Sequence, residues 1–540
     1  MKRKVLILIA IPTLMILSGC NSDFLDKNPL DAISAPTFWK QKADFDNGLT
    51  ACYGVFQEET FCLDKPIYDS FTDICYSWAD FLQNQQEISK GQITPTTGGF
   101  INNIYYNAYV NIARQNIFLK QLDGYTGTDV TDAIRANYKA EVSFLRAWNY
   151  FQLWNYYGDV PLVLEPLTLA TQNQPKATAA EVLAQILKDL DYTIANGSTK
   201  AYYLNNGHVG KAAGQALKAR VLLYDASTNG AYHPGGIAPD ATKLATIRDL
   251  CDDIIKSSGH SLSPTFENVF RQNTQASNPE IIFSTIFLQP NNWTWTDLFY
   301  ADWYTCSPLP SFVADFECTD GLLPAVSPLY DPTQIYKNRD PRLRATVFNH
   351  KASITNKPID WEYEGDFKHY YTPSNSNQGL YGGVNKFCTP DNVPFNWGSR
   401  SGQDWVHIRY AEVLLMFAEA QNELVGPVTA GAKSGLTAYD AINLIRTRSV
   451  YPGAALLPAL PAGLTQAQMR DKVRHERKIE LAFEGFRYFD LKRWGNAGDV
   501  INNIPDNLIT SHWDNKFYKW PLPQGEIDKS NGVLVQNSDY

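Results

Sequence analysis

Three constellations in this 540-residue chain have residue types and spacing that could do chemistry. The first is acidic. Glu476, Glu480 and Glu484 recur every four residues with His475 beside them, so one helix face carries three carboxylates. A metal or acid–base site is the reactive reading, yet the run H-E-R-K-I-E lacks the second His of an H-E-x-x-H motif. Met469 and Val473 continue the same stripe, which places the carboxylates half inside the protein. Buried carboxylates require cations, and Arg477, Arg487 and Arg493 stand nearest in sequence. The pattern predicts a structural ion network, with no catalytic residue and no metal ligand.

The second constellation is aromatic. Residues 291–304 read NNWTWTDLFYADWY, with Trp293, Trp295, Phe299, Tyr300, Trp303 and Tyr304 set among Asn, Thr and Asp. The flat C–H face of a pyranose packs on an aromatic ring, while its hydroxyls need amide and carboxylate partners. The stretch therefore suits sugar, local core packing being the competing use of the same rings. The third, Asp73, Tyr76, Trp78 and Asp80, repeats the mixture in an earlier loop. Trp361, Tyr363, Trp397 and Arg400 are weaker candidates of the same kind. The sequence contains no G-x-S-x-G, Walker A or dinucleotide fingerprint and no His/Cys cluster at zinc spacing, so no cofactor is assigned. A glycosidase needs two carboxylates at the scissile bond, and nothing singles out a pair.

Composition narrows the partners. A net charge of −9 argues against nucleic acid, which demands a basic surface. Aromatic residues make up 13% of the chain, enough to supply binding as well as core. The eight cysteines include no C-x-x-C pair; Cys306 and Cys318 could bridge in an oxidising compartment, with inert buried thiols the alternative. At the start, Lys2, Arg3 and Lys4 precede a 13-residue apolar run over 5–17, too short for the ~20 residues a spanning helix needs. Residues 1–19 read as a targeting segment. Leu17-Ser18-Gly19-Cys20 resembles the lipobox of bacterial lipoproteins, which implies cleavage before Cys20 and lipidation of its thiol. An ordinary secretory signal is the alternative.

Helices must position these groups. Ala140, Phe144, Ala147 and Phe151 fall on one helical face, small alternating with large, and predict a central helix within 140–163 that Gly158 and Pro161 stop. Further helices are expected over 37–56, 101–122, 179–195, 211–227, 242–257, 405–423 and 438–448. A last long one is capped by Thr465 and runs to about residue 489. Between 264 and 403 the helical period fades, Pro, Asn and Gly accumulate, and 281–288 reads as a buried strand. The expected architecture is mostly α: a tetratricopeptide-like helical scaffold with an irregular loop-rich insertion. Residues 20–36 form a leader, 37–263 the first part of the scaffold, 264–403 the irregular ligand-binding region and 404–540 the rest of the scaffold.

Motifs in the same order point to a family. They begin with Phe24-Leu25-Asp26 and Pro29 behind Cys20, then Glu141, Leu145-Arg146-Ala147, Tyr150, Phe151, Gly158 and Val160-Pro161. Arg339-Asp340-Pro341-Arg342-Leu343 follows, then Glu476-Arg477, Glu480-Leu481, Glu484-Gly485, Arg487, Asp490 and Arg493-Trp494, and finally Pro521-Leu522-Pro523, Glu526 and Asn537. Together these blocks resemble the SusD/RagB family of Bacteroidetes outer-membrane lipoproteins. The resemblance implies a tetratricopeptide-like scaffold and capture of glycans, or of peptides in the RagB branch, at the cell surface. It also implies a place as lid on a SusC-like TonB-dependent transporter in the outer membrane. Ligand contacts of the family tend to fall in the loop after the first helix and in the middle region, which by position favours 73–80 and 291–304. The reading is a lipid-anchored glycan-binding protein without catalysis; a surface glycosidase and a pure interaction scaffold are its rivals.

Overall fold

The computed structural model describes residues 38–58, 64–80, 83–227, 239–302, 305–334, 336–348, 383–388, 398, 400–505 and 510–540. The helices of eight residues or more are α1 (Lys42–Gly54), α2 (Phe100–Gly124), α3 (Asp132–Tyr157), α4 (Ala179–Asn196), α5 (Lys211–Ser227) and α6 (Ala241–Ser257) before the irregular region. After it come α7 (Tyr410–Val425), α8 (Ala438–Arg446), α9 (Gln466–Glu480) and α10 (Arg487–Trp494). Each of α1 to α6 packs on its successor or next-but-one, and α7 closes the array by packing on α6, α8 and α9. This is the mostly-α, tetratricopeptide-like scaffold that the periodicities predict.

The central helix α3 starts earlier than the apolar stripe alone indicates, because the Thr131 side chain caps it by accepting from the Ile134 N–H. Every residue from Ala140 to Trp154 is buried, so α3 is surrounded by α1, α2, α4 and α5. Full burial of each Phe or Leu on it contributes about 1.5–3 kcal/mol. Its buried polar residues are partnered: Arg146 forks onto Asp189 of α4 at 2.9 and 2.8 Å and reaches Asn116 of α2 at 3.0 Å. A second fork, Arg220 to Glu412 (2.7 and 2.5 Å), ties α5 to α7. Gly158, at φ +74°, ends α3.

The strands form short antiparallel pairs: β1 (Cys75–Ser77) with β5 (Cys306–Pro308), β2 (Val160–Pro161) with β3 (Lys176–Ala177), β4 (Ile281–Thr285) with β8 (Trp405–Arg409), and β6 (Val347–Phe348) with β7 (Gly383–Val384). Residues 281–285 are the buried strand anticipated there, but Ile286 and Leu288 turn outward, 44% and 73% exposed.

Two expectations need correction. Residues 405–409 are strand rather than the first turn of a helix, since their backbone is taken up by β4, Ile281 facing Arg409 and Thr285 facing Trp405. The last long helix ends at Glu480 instead of near residue 489. There the Lys386 ammonium binds the carbonyls of Glu480 and Ala482 (2.9 and 3.0 Å), and Arg409 binds the Glu480 carbonyl at 2.7 Å. Buried cations thus satisfy the carbonyls of the last turn, which a continuing helix would claim for itself. Phe483 (φ +65°) and Gly485 (φ +80°) turn the chain into α10, and Asp69 accepts the Phe483 N–H at 2.6 Å. Cys306 and Cys318 are buried free thiols, as are the other described cysteines.

Candidate aromatic binding site

Residues 293–295 of the alternation Trp-Thr-Trp-Thr are extended, and the chain passes into a helical turn at Thr296. Successive side chains of extended backbone point to opposite sides. Thr294 and Thr296 face inward, buried and bonded to each other at 2.6 Å, which turns Trp293 and Trp295 together to the other side, each half-buried. The ribbon is pinned by a reciprocal backbone pair, Thr294 N–H to Ser401 C=O (2.8 Å) and Ser401 N–H to Thr294 C=O (2.9 Å). The indole centroids stand 5.5 Å apart, tilted by 43°, and the Arg400 guanidinium lies 4.4 Å from the Trp293 ring centroid. Trp295 meets Phe299 edge-on at 6.1 Å. The result is a pair of half-buried indoles, Trp295 packed against the core with its Nε1 buried and Trp293 carrying a stacked cation.

Farther along, the chain turns inward. Tyr300 is 1% exposed and Phe299 6%, so the Tyr300 ring is core and not a platform, for the reason that the π-helical turn Leu298–Asp302 packs onto the apolar interior. Trp303 and Tyr304 lie outside the described residues, as do Trp361, Tyr363 and Trp397.

The earlier loop divides in the same way. β1 is buried along its length, and Tyr76 is 4% exposed with its hydroxyl 3.3 Å from the Gln86 amide. Asp73 is engaged on both oxygens, by Arg487 at 2.9 and 2.9 Å and by Lys478 at 2.6 Å. Burial would raise this carboxyl, but the two cations outweigh it and hold Asp73 well below the usual carboxylate range. Asp73 and Tyr76 therefore serve the scaffold. Trp78 and Asp80 stay half-buried, with the Asp80 Oδ1 accepting the Gln86 N–H at 2.8 Å. Gln86 was not singled out by any motif; its side-chain amide fans onto the Tyr76 hydroxyl and the carbonyls of Ser77 and Trp78 at 3.3–3.4 Å. A lone Gln on a one-turn helix (Gln85–Ser89) carries no sequence signal.

The two candidate stretches are joined in space. β1 lies within the first and β5 follows the second, with Tyr76 opposite Ser307 and the Leu309 N–H bonded to the Ile74 carbonyl at 2.9 Å.

The acidic constellation is an ion network, as its stripe predicts, but its cations are not the ones nearby in sequence. Glu476 pairs with Arg342 and Arg446, Glu480 with Arg342, Arg409 and Arg448, and Glu484 with Arg409 and Lys386, all nearly fully buried. Arg477 goes to Asp490, Arg487 to Asp73 and Arg493 to Glu419 and Asp490. Despite burial, these arginines hold Glu476 and Glu480 below the ordinary carboxylate range, so the carboxylates stay charged and fully engaged.

Comparison with known proteins adds the following. Residues 266–540 match the model described as the SusD family, and residues 23–223 match one described as starch-binding associating with outer membrane. Among curated relatives, SusD-like protein P2 of Formosa agariphila is 24% identical over 98% of both chains. A SusD-like protein of Bacteroides ovatus is 23% identical over 96% of this chain and 86% of its own. Among solved structures, a SusD-like protein of Bacteroides fragilis superposes with a TM-score of 0.75 at 23% identity, covering 95% of this chain and all of its own. Surface glycan-binding protein A of Bacteroides thetaiotaomicron, in complex with laminarihexaose, does so with a TM-score of 0.67 at 20% identity, covering 92% and 100%.

Proposed function

The chain belongs to the SusD family, and we propose that it is a non-catalytic, lipid-anchored surface protein that captures oligosaccharides and delivers them to a SusC-like TonB-dependent transporter in the outer membrane. The observation that carries this reading is the Trp293–Trp295 platform, two half-exposed indoles 5.5 Å apart on one face of a pinned ribbon. Flat, tilted rings accept the apolar faces of sugar units, and Arg400 beside them offers donors to ring hydroxyls. Trp78 and Asp80 add an aromatic edge and a carboxylate from the strand-paired loop, and Trp303 and Tyr304 remain candidates from the same sequence stretch. The laminarihexaose complex of a protein with this fold supports a glycan as the ligand class.

The test is a titration of the protein with separate oligosaccharide and peptide panels, read by Trp fluorescence. One glycan family should quench saturably, and Trp293→Ala and Trp295→Ala should each weaken it by about 1–2 kcal/mol, roughly tenfold in Kd. Unchanged affinity in both variants would remove the platform from the site. Binding to peptides alone would place the protein with the RagB branch, and shortened oligosaccharides after prolonged incubation would make it an enzyme.

A further inference from the structure

Two of the buried thiols lie across a single strand pair. In the ribbon of β1 and β5, Cys75 stands opposite Pro308 and Ser77 opposite Cys306. Opposed residues of an antiparallel pair share a face, and so do residues two apart on one strand. Cys75 and Cys306 are therefore diagonal neighbours on one face, one step away from a direct pair. Their thiols are close enough to hydrogen-bond to each other, and both residues are 0% exposed.

Among the described residues, no other two cysteines share a ribbon. Cys52 and Cys251 lie on α1 and α6. Cys388 turns its Sγ to the Val384 carbonyl at 3.3 Å, and Cys318 faces Arg339 across an isolated bridge. The fold thus brings Cys306 to Cys75 and gives Cys318 a different neighbour, although Cys318 is the closer in sequence.

Diagonal Cα atoms of an ideal antiparallel pair stand about 7–8 Å apart, and a disulfide needs them within about 7 Å. Closing the bond therefore draws the strands together by about 1 Å. A ribbon of three residues a side can shear by that amount, since few ladder bonds resist it. Exchange requires a thiolate. Burial, reinforced by the Cys306 thiol and Asp69, holds the Cys75 proton well above the ordinary thiol range. The reaction thus belongs to folding, before the ribbon closes, and the folded pair keeps the state in which it was sealed.

We propose that Cys75 and Cys306 are joined by a disulfide when the chain folds in the presence of a disulfide oxidant, clamping the loop of residues 73–80 to the segment that follows the Trp293–Trp295 pair. One thiolate attacks the oxidant's disulfide, and the second cysteine then displaces the oxidant's remaining thiol from the mixed disulfide. Two protons and two electrons pass to the oxidant, which leaves as two thiols. β1 runs directly into Trp78 and Asp80, so the bond fixes these residues relative to β5. Their use in holding a ligand rests on the glycan-binding reading; the bond itself does not.

The full chain is reduced and unfolded in urea, then refolded with oxidised glutathione or with dithiothreitol. Each sample is quenched in acid, unfolded, alkylated with N-ethylmaleimide, digested and mapped by peptide mass. The glutathione sample should contain the Cys75 peptide linked to the Cys306 peptide, with Cys318 alkylated. It should melt about 3–5 °C above the dithiothreitol sample, because a cross-link closing so long a loop constrains the unfolded chain. Dithiothreitol added to the folded, oxidised protein should leave the link intact, and the same reductant in urea should remove it. Cys318→Ser should keep the link and Cys306→Ser lose it. The map is read on the parent, so no variant has to fold, and protein exported to an oxidising periplasm gives the same reading without refolding. Alkylated Cys75 and Cys306 after oxidative folding, or Cys306 linked to Cys318 instead, would overturn the proposal. Silence of the oligosaccharide panel bears on the indole pair alone and leaves this test intact.

Discussion

Arg493 grips Glu419 through two hydrogen bonds of 2.5 and 2.7 Å, and its Nε turns to Asp490 at 2.8 Å. Burial by itself would raise the Glu419 carboxyl; the charge and hydrogen bonds of Arg493 reverse that and hold it down to about 2, against 4.5 for an ordinary Glu. Between those values the unfolded chain binds a proton that the folded chain refuses. Stability from the pair is therefore complete above about pH 4.5 and is lost as the pH falls through about 2. Arg493→Met leaves Glu419 buried without its cation, which should cost about 3–5 kcal/mol at pH 7. Urea unfolding of parent and variant at pH 7 and pH 3 checks this, because the gap between them should narrow at the lower pH. A gap of the same size at both values would mean that ionisation of Glu419 adds nothing.

At the scale of elements, the bend between α9 and α10 depends on Gly485. Its φ of +80° suits glycine, and a Cβ would sit 3.2 Å from the Lys65 carbonyl oxygen. Gly485→Ala should lower stability by about 1–2 kcal/mol, visible as a lower Tm, with the helical circular dichroism retained. A Tm equal to the parent's would show that the bend relaxes freely. The same region marks where sequence reading stops. The helices α2 to α6 are legible because their apolar faces repeat at the helical period, and the expected 211–227 coincides with α5. The break after Glu480 was not, because residues 466–489 keep that period while Lys386 and Arg409, distant in sequence, capture the final carbonyls. β8 was hidden likewise: WVHIR runs without punctuation into α7, and only pairing with β4 makes it a strand. The aromatic richness of 291–304 is legible in the sequence, but the inward turn of Tyr300 and the capture of Asp73 by Arg487 and Lys478 are tertiary facts. The acidic stripe was readable as an ion network, whereas its partners Arg342, Arg409, Arg446 and Arg448 come from segments that sequence proximity does not reveal.

At the scale of the whole molecule, the proposed function requires an acidic body to stay at a membrane surface. No described helix is long and apolar enough to cross a membrane, so the helical scaffold supplies no anchor of that kind. The lipobox-like Leu17-Ser18-Gly19-Cys20 is the chemical alternative on which the proposed anchoring rests: acyl chains on Cys20 would each contribute about 0.8 kcal/mol per buried CH₂, and more than one chain is needed for stable attachment. A net charge of −9 works against adsorption to anionic lipid, so electrostatics does not replace the chains. Cys20→Ala should therefore move the protein from the membrane fraction to the soluble fraction after lysis. Its affinity for oligosaccharide should equal the parent's, because the platform is built from residues of the folded body. Trp293→Ala should do the reverse, staying with membranes while losing ligand. Persistence of Cys20→Ala in a carbonate-washed membrane fraction would overturn the lipid-anchor reading, because carbonate strips proteins held by surface contacts and leaves those held by acyl chains or spanning segments.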